Sequence, residues 1–204
     1  MPGKPLDFSE WESSTQRPLY TGQLEPVRSW IRGKVLDVAS NYGRFSALSS
    51  SSISVDIETK FLKRGIETGR ISRAVVGSAL SLPFRDASFD TVLAMGIIDH
   101  IPHPSAQRFL NEITRVAADE SRVIVQVTSP LALFVIRNLR SYDEWTHPYS
   151  PFRLIRDFRR RRWRLVGSMS SGLIGLIDIV PKTVRSLVPW AVHTTLVFTR
   201  QLSR

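Results

Sequence analysis

The chain has 204 residues, 42% hydrophobic and 23% charged, with 28 Lys and Arg against 18 Asp and Glu, a formal net charge of +10 and no cysteine. A chain of this length and apolar content buries roughly 70% of its unfolded surface, which argues for one globular domain spanning residues 1–204 and against a disordered basic tail. The missing thiols exclude a disulfide framework, a thiolate zinc site, an iron–sulfur cluster and a cysteine nucleophile, and no metal site is expected.

The first fourteen residues carry Lys4, Asp7, Glu10 and Glu12 and no apolar stretch of the signal-peptide kind, so secretion is not expected. Residues 1–32, with Trp11, Tyr20 and Trp30, precede the first strand as a helical cap whose favoured role is surface packing, the alternative being that Arg17 or Tyr20 reaches a bound ligand. Gly33 closes a helix that carries Val27, Trp30 and Ile31. Strands follow at residues 34–38 (KVLDV), 53–56, 74–76, 90–95 and 122–127 (RVIVQV), each nearly continuous in apolar character, as burial on both faces requires. Between them the pattern predicts a helix beginning near Arg44 and another over 61–68. A third runs over 105–118, capped by Ser105, with Phe109, Leu110, Ile113, Val116 and Ala117 on one stripe. Strands alternating with helices imply a parallel sheet covered by helices on both faces. Beyond 127 the pattern loosens, with Pro130, Pro148, Pro151, Pro181 and Pro189 punctuating short apolar runs, and 195–198 reads as a last strand. The runs at 131–136 and 173–177 stop at Arg137 and Asp178, short of the roughly 20 residues that span a bilayer, so a cytoplasmic protein is expected.

The first strand ends in Asp37-Val38-Ala39-Ser40-Asn41-Tyr42-Gly43, where small residues let the backbone approach a ligand and Asn41 and Gly43 tolerate positive φ. A helix N-terminus after this turn would favour an anionic group. Asp56 ends the second strand at the separation from Asp37 where an acid can accept from both ribose hydroxyls of a nucleoside. The same residues would also make an ordinary tight turn and a strand-end acid.

Further motifs separate the two readings. VLDVASNYGRFS, SVDIE, GSALSLPFRDASFDTVL and IIDHIPH, in this order over 33–127, resemble the class I S-adenosylmethionine-dependent methyltransferases, particularly the small single-domain group acting on small molecules, lipids and quinones. The resemblance implies a Rossmann-like seven-stranded sheet with helices on both faces and the last strand antiparallel. It also implies S-adenosyl-L-methionine as cofactor and residue roles by position. Asp37, Ala39, Ser40, Asn41 and Gly43 would cradle the methionine part, and Asp56 would hold the ribose. Ile57 would flank the adenine, with Ser78 and Ala79 at its edge and Leu80 nearby. Met95 would lie close to the sulfonium, although core packing explains Met95 and Leu80 equally well. The family's first two turn glycines are here Ala39 and Asn41, and its adenine-segment acid is Ser78. Alanine is tolerated if its φ is negative, asparagine suits positive φ, and serine keeps a hydrogen bond without charge.

For an acceptor that must lose a proton, Asp99 and His100, with His103 three residues on, follow the fourth strand and are the candidate catalytic groups. Alternatively Asp99 binds local amides and His100 is structural. The charge supplies the remaining clue: residues 1–149 hold seventeen basic and sixteen acidic side chains, residues 150–204 eleven and two. Residues 153–164 (RLIRDFRRRRWR) fit a helix with Phe152, Ile155 and Phe158 on a packed edge and a cationic face outside. With Trp163 that face suits RNA phosphates and bases, it also suits an anionic membrane surface, and an ordinary solvated basic face beside a substrate-covering helix accounts for it as well as these two together. Segment 128–204 is thus the acceptor side of the domain. The favoured function is methyl transfer to a small-molecule or lipid- or quinone-like acceptor, and the alternatives are an RNA methyltransferase and a cofactor-binding protein without activity.

Overall fold

The alternating strands and helices are realised in a computed structural model, which describes Ser9, Glu12 and residues 23–128, 147–173 and 191–200. Trp11, Arg17, Tyr20, Pro130, Pro181, Pro189 and the apolar run at 131–136 lie outside the described residues. The elements run α1 (Leu24–Arg28), β1 (Val35–Val38), β2 (Ser52–Asp56), α2 (Thr59–Glu67), β3 (Ala74–Val76), β4 (Phe89–Met95), α3 (His103–Arg115), β5 (Ala117–Thr128), α4 (Pro151–Arg160), β6 (Trp163–Leu173) and β7 (Ala191–Arg200). Among the described residues they form a seven-stranded sheet of order β3-β2-β1-β4-β5-β7-β6. The first five strands pair in parallel, and β7 inserts antiparallel between β5 and the edge strand β6.

Strand period two sorts the core into two layers. Leu36, Val38, Val92, Ala94, Val123 and Val125 face Phe109, Leu110 and Ile113 of α3 and Leu154 and Phe158 of α4. The intervening Val35, Leu93 and Ile124 face the other way, toward Val27 of α1 and Phe45 and Leu48. Each of these strand side chains is at most 1% exposed, which explains the near-continuous apolar sequence of the strands.

Six expectations change. Gly33 does not close α1, which ends at Arg28 and leaves Trp30 and Ile31 beyond it. Phe152, expected on the packed edge of the arginine-rich helix, is exposed instead. No α-helix follows the first turn: after Gly43 the chain makes only a 3₁₀ turn at Ser46–Leu48 before β2 begins, so no helix dipole is available there. Ser105 does not cap α3, which starts at His103 behind Pro102, a residue whose fixed φ suits the entry; Ser105 sits inside the first turn. The stripe stops at Ile113, because Val116 ends the helix and Ala117 already belongs to β5. The arginine-rich helix ends at Arg160; Arg162, at φ 63°, turns the chain into β6. The β6 sequence WRLVGSMSSGL hides its strand, since glycine and serine carry little intrinsic β preference and the ladder to β7 supplies what the residues lack.

Candidate active site

β1 lies between β2 and β4, so the chain leaves it toward one side of the sheet and returns on the other; beyond the carboxyl ends of these strands is the switch point where open α/β sheets bind ligands. A cavity of about 640 Å³ opens there. It is lined by Asp37, Ala39, Ser40, Asn41, Asp56, Ile57, Ser78, Ala79, Leu80 and Met95, which gathers every cofactor residue expected from sequence except Gly43. Gly43, at φ 81°, stands behind the wall, where a Cβ would come 2.3 Å from Ile71 Cγ1; its smallness serves packing of the turn. Leu80 and Met95 do both things expected of them, bordering the cavity and packing against the core.

The turn is left-handed at alternate positions: Ala39 at φ 55°, Asn41 at 51° and Gly43 at 81°. Asn41 matches the expectation, while Ala39 overturns the condition that its φ be negative. Its methyl group sits in a conformation costing an L residue roughly 1–2 kcal/mol, partly offset in Ala39→Gly by the greater chain entropy of glycine. Ala39→Gly is therefore expected to raise the melting temperature by about 2–4 °C in a thermal melt. A lower melting temperature would show that the alanine methyl contributes packing worth more than the strain.

Asp56 is 7% exposed, and its carboxylate organises the turn, accepting the Asn41 N–H at Oδ2 and the Glu58 N–H at Oδ1, both at 2.9 Å. Burial raises its pKa and the amides oppose the rise. Asp37 is deeper. It accepts the Ser46 hydroxyl at 2.6 Å, and burial lifts its pKa to about 7 against the Ser46 bonds, with the Asp56 charge adding to the rise. The buried Ser40 hydroxyl on the cavity wall has no hydrogen-bond partner among the described residues. Ser78 Oγ accepts the Leu80 amide at 3.2 Å and keeps its own proton to donate.

The candidate bases part company. His100 lines the cavity beside Ile101 and Pro102. Asp99 does not: it is 1% exposed and accepts the Thr128 N–H at 2.7 Å and the Tyr149 N–H at 3.3 Å, while its carbonyl takes the His147 N–H at 2.6 Å. It ties the segment after β4 to the end of β5 and to residues 147–149, and burial raises its pKa to about 6. His103 is exposed outside the cavity, 3.4 Å from Arg153.

Sequence reasoning missed the far wall. Arg44, Gly96, Gln126, Thr128 and His193 also line the cavity. Gln126 donates to Gln23 Oε1 at 2.8 Å and Thr195 Oγ1 at 3.2 Å, and Gln23 donates to Ser171 Oγ at 2.8 Å and lies 3.4 Å from His193 Nδ1. Burial, then the Arg44 charge, lowers the His193 pKa to about 4, so its ring is neutral. Arg44 directly follows the glycine turn, a position from which it could have been suspected. Gln126 and His193 carried no local signal, because antiparallel β7 brings them together. No group of three potential metal ligands occurs among the described residues.

These features fit the cofactor implied by the sequence resemblance: an acid for vicinal hydroxyls, a buried hydroxyl, carboxylate and guanidinium in one cavity, and an apolar rim at Ile57. A family model described as a methyltransferase domain matches residues 36–125. An uncharacterized protein of Methanocaldococcus jannaschii is 30% identical over 138 residues, 67% of this chain and 57% of that protein, so the matched region spans little more than half of that relative. A solved S-adenosylmethionine-dependent methyltransferase from Thermotoga maritima superposes with a TM-score of 0.79 at 16% identity, covering 95% of this chain and 96% of the other. Magnesium protoporphyrin IX methyltransferase from Synechocystis, solved with S-adenosylhomocysteine, gives 0.68 at 12% identity, covering 97% and 90%.

Proposed function

We infer that the chain belongs to the class I S-adenosylmethionine-dependent methyltransferases, and on that premise we propose that its cavity holds this cofactor and that a small or lipid-like acceptor is methylated there. The observation that carries the reading is the convergence of Asp56, Ser78 and Met95, from three separate strand ends, on one cavity at the switch point. When bound, the cofactor supplies a methyl group on a positively charged sulfur, already activated for in-line displacement.

The protein's part is binding, alignment and exclusion of water. Asp56 accepts the Asn41 amide at Oδ2 and the Glu58 amide at Oδ1, with the Ile57 amide also bonded to it, and its two oxygens together keep acceptor capacity toward the ribose hydroxyls. Ile57 offers an apolar face to the adenine, and Ser78 and Ala79 offer its edge a hydroxyl and backbone groups. Ser40 supplies a donor to the methionine part. Asp37 and Arg44 have the charges to pair with its ammonium and carboxylate. Met95 and Gly96 border the reacting end. In this reading His100, which lines the cavity, accepts a proton from the acceptor, and Asp99 acts through it, holding the segment by its bonds to Thr128 and Tyr149. In this reading residues 33–127 are the cofactor half of one domain, and 128–204, which contributes Thr128 and His193, is the acceptor half.

Calorimetric titration with S-adenosylmethionine tests the proposal, and its pH dependence tests the role of Asp37. The ammonium favours ionised Asp37, so affinity is expected to strengthen as pH rises through about 7 and to fall by up to tenfold per pH unit below it. Absence of binding at millimolar cofactor sinks the reading. Where binding is found, transfer of labelled methyl to quinol-like phenols or extracted lipids tests the acceptor class.

A further inference from the structure

The arginine-rich segment remains unexplained by cofactor binding. α4 divides cleanly into two faces. Leu154, Asp157 and Phe158 are buried, while Phe152, Arg156, Arg159 and Arg160 are exposed, a spacing that sets them on one stripe along about 12 Å of helix. Phe152 is 63% exposed. The acid of this helix, Asp157, is turned inward, 2% exposed, bonded to Tyr149 and Gln107. Arg156 and Arg160 approach it only at 3.5 and 3.9 Å, and their side chains stay 60% and 70% exposed. The outer face is therefore cationic with one aromatic at its start, and Arg162 and Arg164, just beyond the helix, are exposed as well.

The location of this face matters. The start of α4 lies against the rim of the cavity: Arg153 is 3.4 Å from His103, the neighbour of the lining residue Pro102. Phe152 precedes Arg153 at this same end of the helix. We propose that the outer face of α4 docks on an anionic lipid surface, its arginines on headgroup phosphates and Phe152 in the acyl boundary, with the cavity mouth held beside the bilayer. An amphiphilic acceptor would then be drawn directly from the membrane; this consequence rests on the methyltransferase reading, whereas the docking does not.

Nucleic acid is the weaker match to the same charge. Binding single strands calls for aromatic faces among the cations, but Phe158 is fully buried and stacked on Phe198 at 3.9 Å, and Trp163 is 2% exposed, so the two internal aromatics of the segment offer no face to a base. A lone aromatic at one end of a cationic stripe matches the geometry of a helix lying at a headgroup boundary.

The test is flotation of the full chain, without cofactor, on vesicles of phosphatidylcholine alone and of phosphatidylcholine with phosphatidylglycerol. Binding is expected only to the anionic vesicles, weakening as salt rises. In Arg156→Gln/Arg159→Gln/Arg160→Gln, each lost charge reduces partition roughly fivefold, and Phe152→Ala reduces it by about tenfold. The single variant Arg159→Gln, outside the ion pairs of Asp157 with Arg153, Arg156 and Arg160, tests the charge effect without disturbing that buried carboxylate, and thermal melts confirm folding of every variant. Equal binding to neutral vesicles, no binding to anionic ones, or unchanged partition of the folded variants overturns the proposal. So does tight binding of an oligonucleotide under conditions where the anionic vesicles are not bound. Because cofactor titration is a separate measurement, loss of vesicle docking leaves the methyltransferase reading standing, and the converse also holds.

Discussion

Asp56→Ala is expected to weaken S-adenosylmethionine binding by two to three orders of magnitude. Two effects combine. Hydrogen bonds to a charged group contribute about 1.5–3 kcal/mol each, so losing two ribose hydroxyl contacts toward the lower end of that range removes about 3–4 kcal/mol, and about 1.4 kcal/mol is tenfold. The same carboxylate also accepts the Asn41 and Glu58 amides, and without it the left-handed turn at Ala39 to Gly43 loses the Asn41 tie to the end of β2 and keeps the Ser40 amide bond to the Val55 carbonyl. Asp56→Asn keeps the shape and one acceptor oxygen, so it should fall between wild type and alanine. Calorimetry on variants with unchanged circular dichroism is the measurement. Affinity within threefold of wild type would remove Asp56 from the cofactor site.

The second large effect is on stability. Phe158 is the hinge between the two faces of α4: fully buried, stacked on Phe198 with planes 2° apart, and edge-on to Trp163 at 6.1 Å. Phe158→Ala leaves a cavity between α4 and the last strands and should cost about 3–5 kcal/mol, a large fraction of a typical domain's stability. At roughly 2–4 °C per kcal/mol, the melting temperature should fall by about 10–15 °C. Phe152→Ala, six residues earlier on the exposed face, should leave it unchanged. A drop of under 3 °C for Phe158→Ala would mean that the helix is held by its polar contacts, Tyr149 and Gln107 to Asp157 and Arg161 to Asn111, more than by its ring stack.

How far the site could be read without coordinates follows the range of the forces involved. Strand ends and turn chemistry are local: an apolar run, then Ala39 to Gly43, then an acid at the next strand end, marked the cavity's near wall from residues close in sequence. The same local reading erred where a neighbour across space decides. A helix after Gly43 is precluded because Ser46 turns in to Asp37 and Ser54 and the chain passes at once into β2. Asp99 and His100 are adjacent in sequence, yet backbone amides from Thr128 and Tyr149 bury one while the other borders the cavity. Trp163 reads from sequence as available for stacking, yet at the start of β6 it is buried edge-on against Phe158 of α4.

By itself, then, the sequence determined the parallel α/β core, the nucleoside-type near wall and the concentration of positive charge after residue 150. Those features depend on periodicity, on which residues tolerate a turn, and on composition, all of which act over a few residues. Only the tertiary structure decided that Gln126, Thr128 and His193 form the far wall, that Ala39 occupies a left-handed position, and that the arginines of α4 face outward around an inward-turned Asp157. Each depends on the antiparallel insertion of β7 or on docking of an element from distant sequence, where burial and shared hydrogen bonds override local preference.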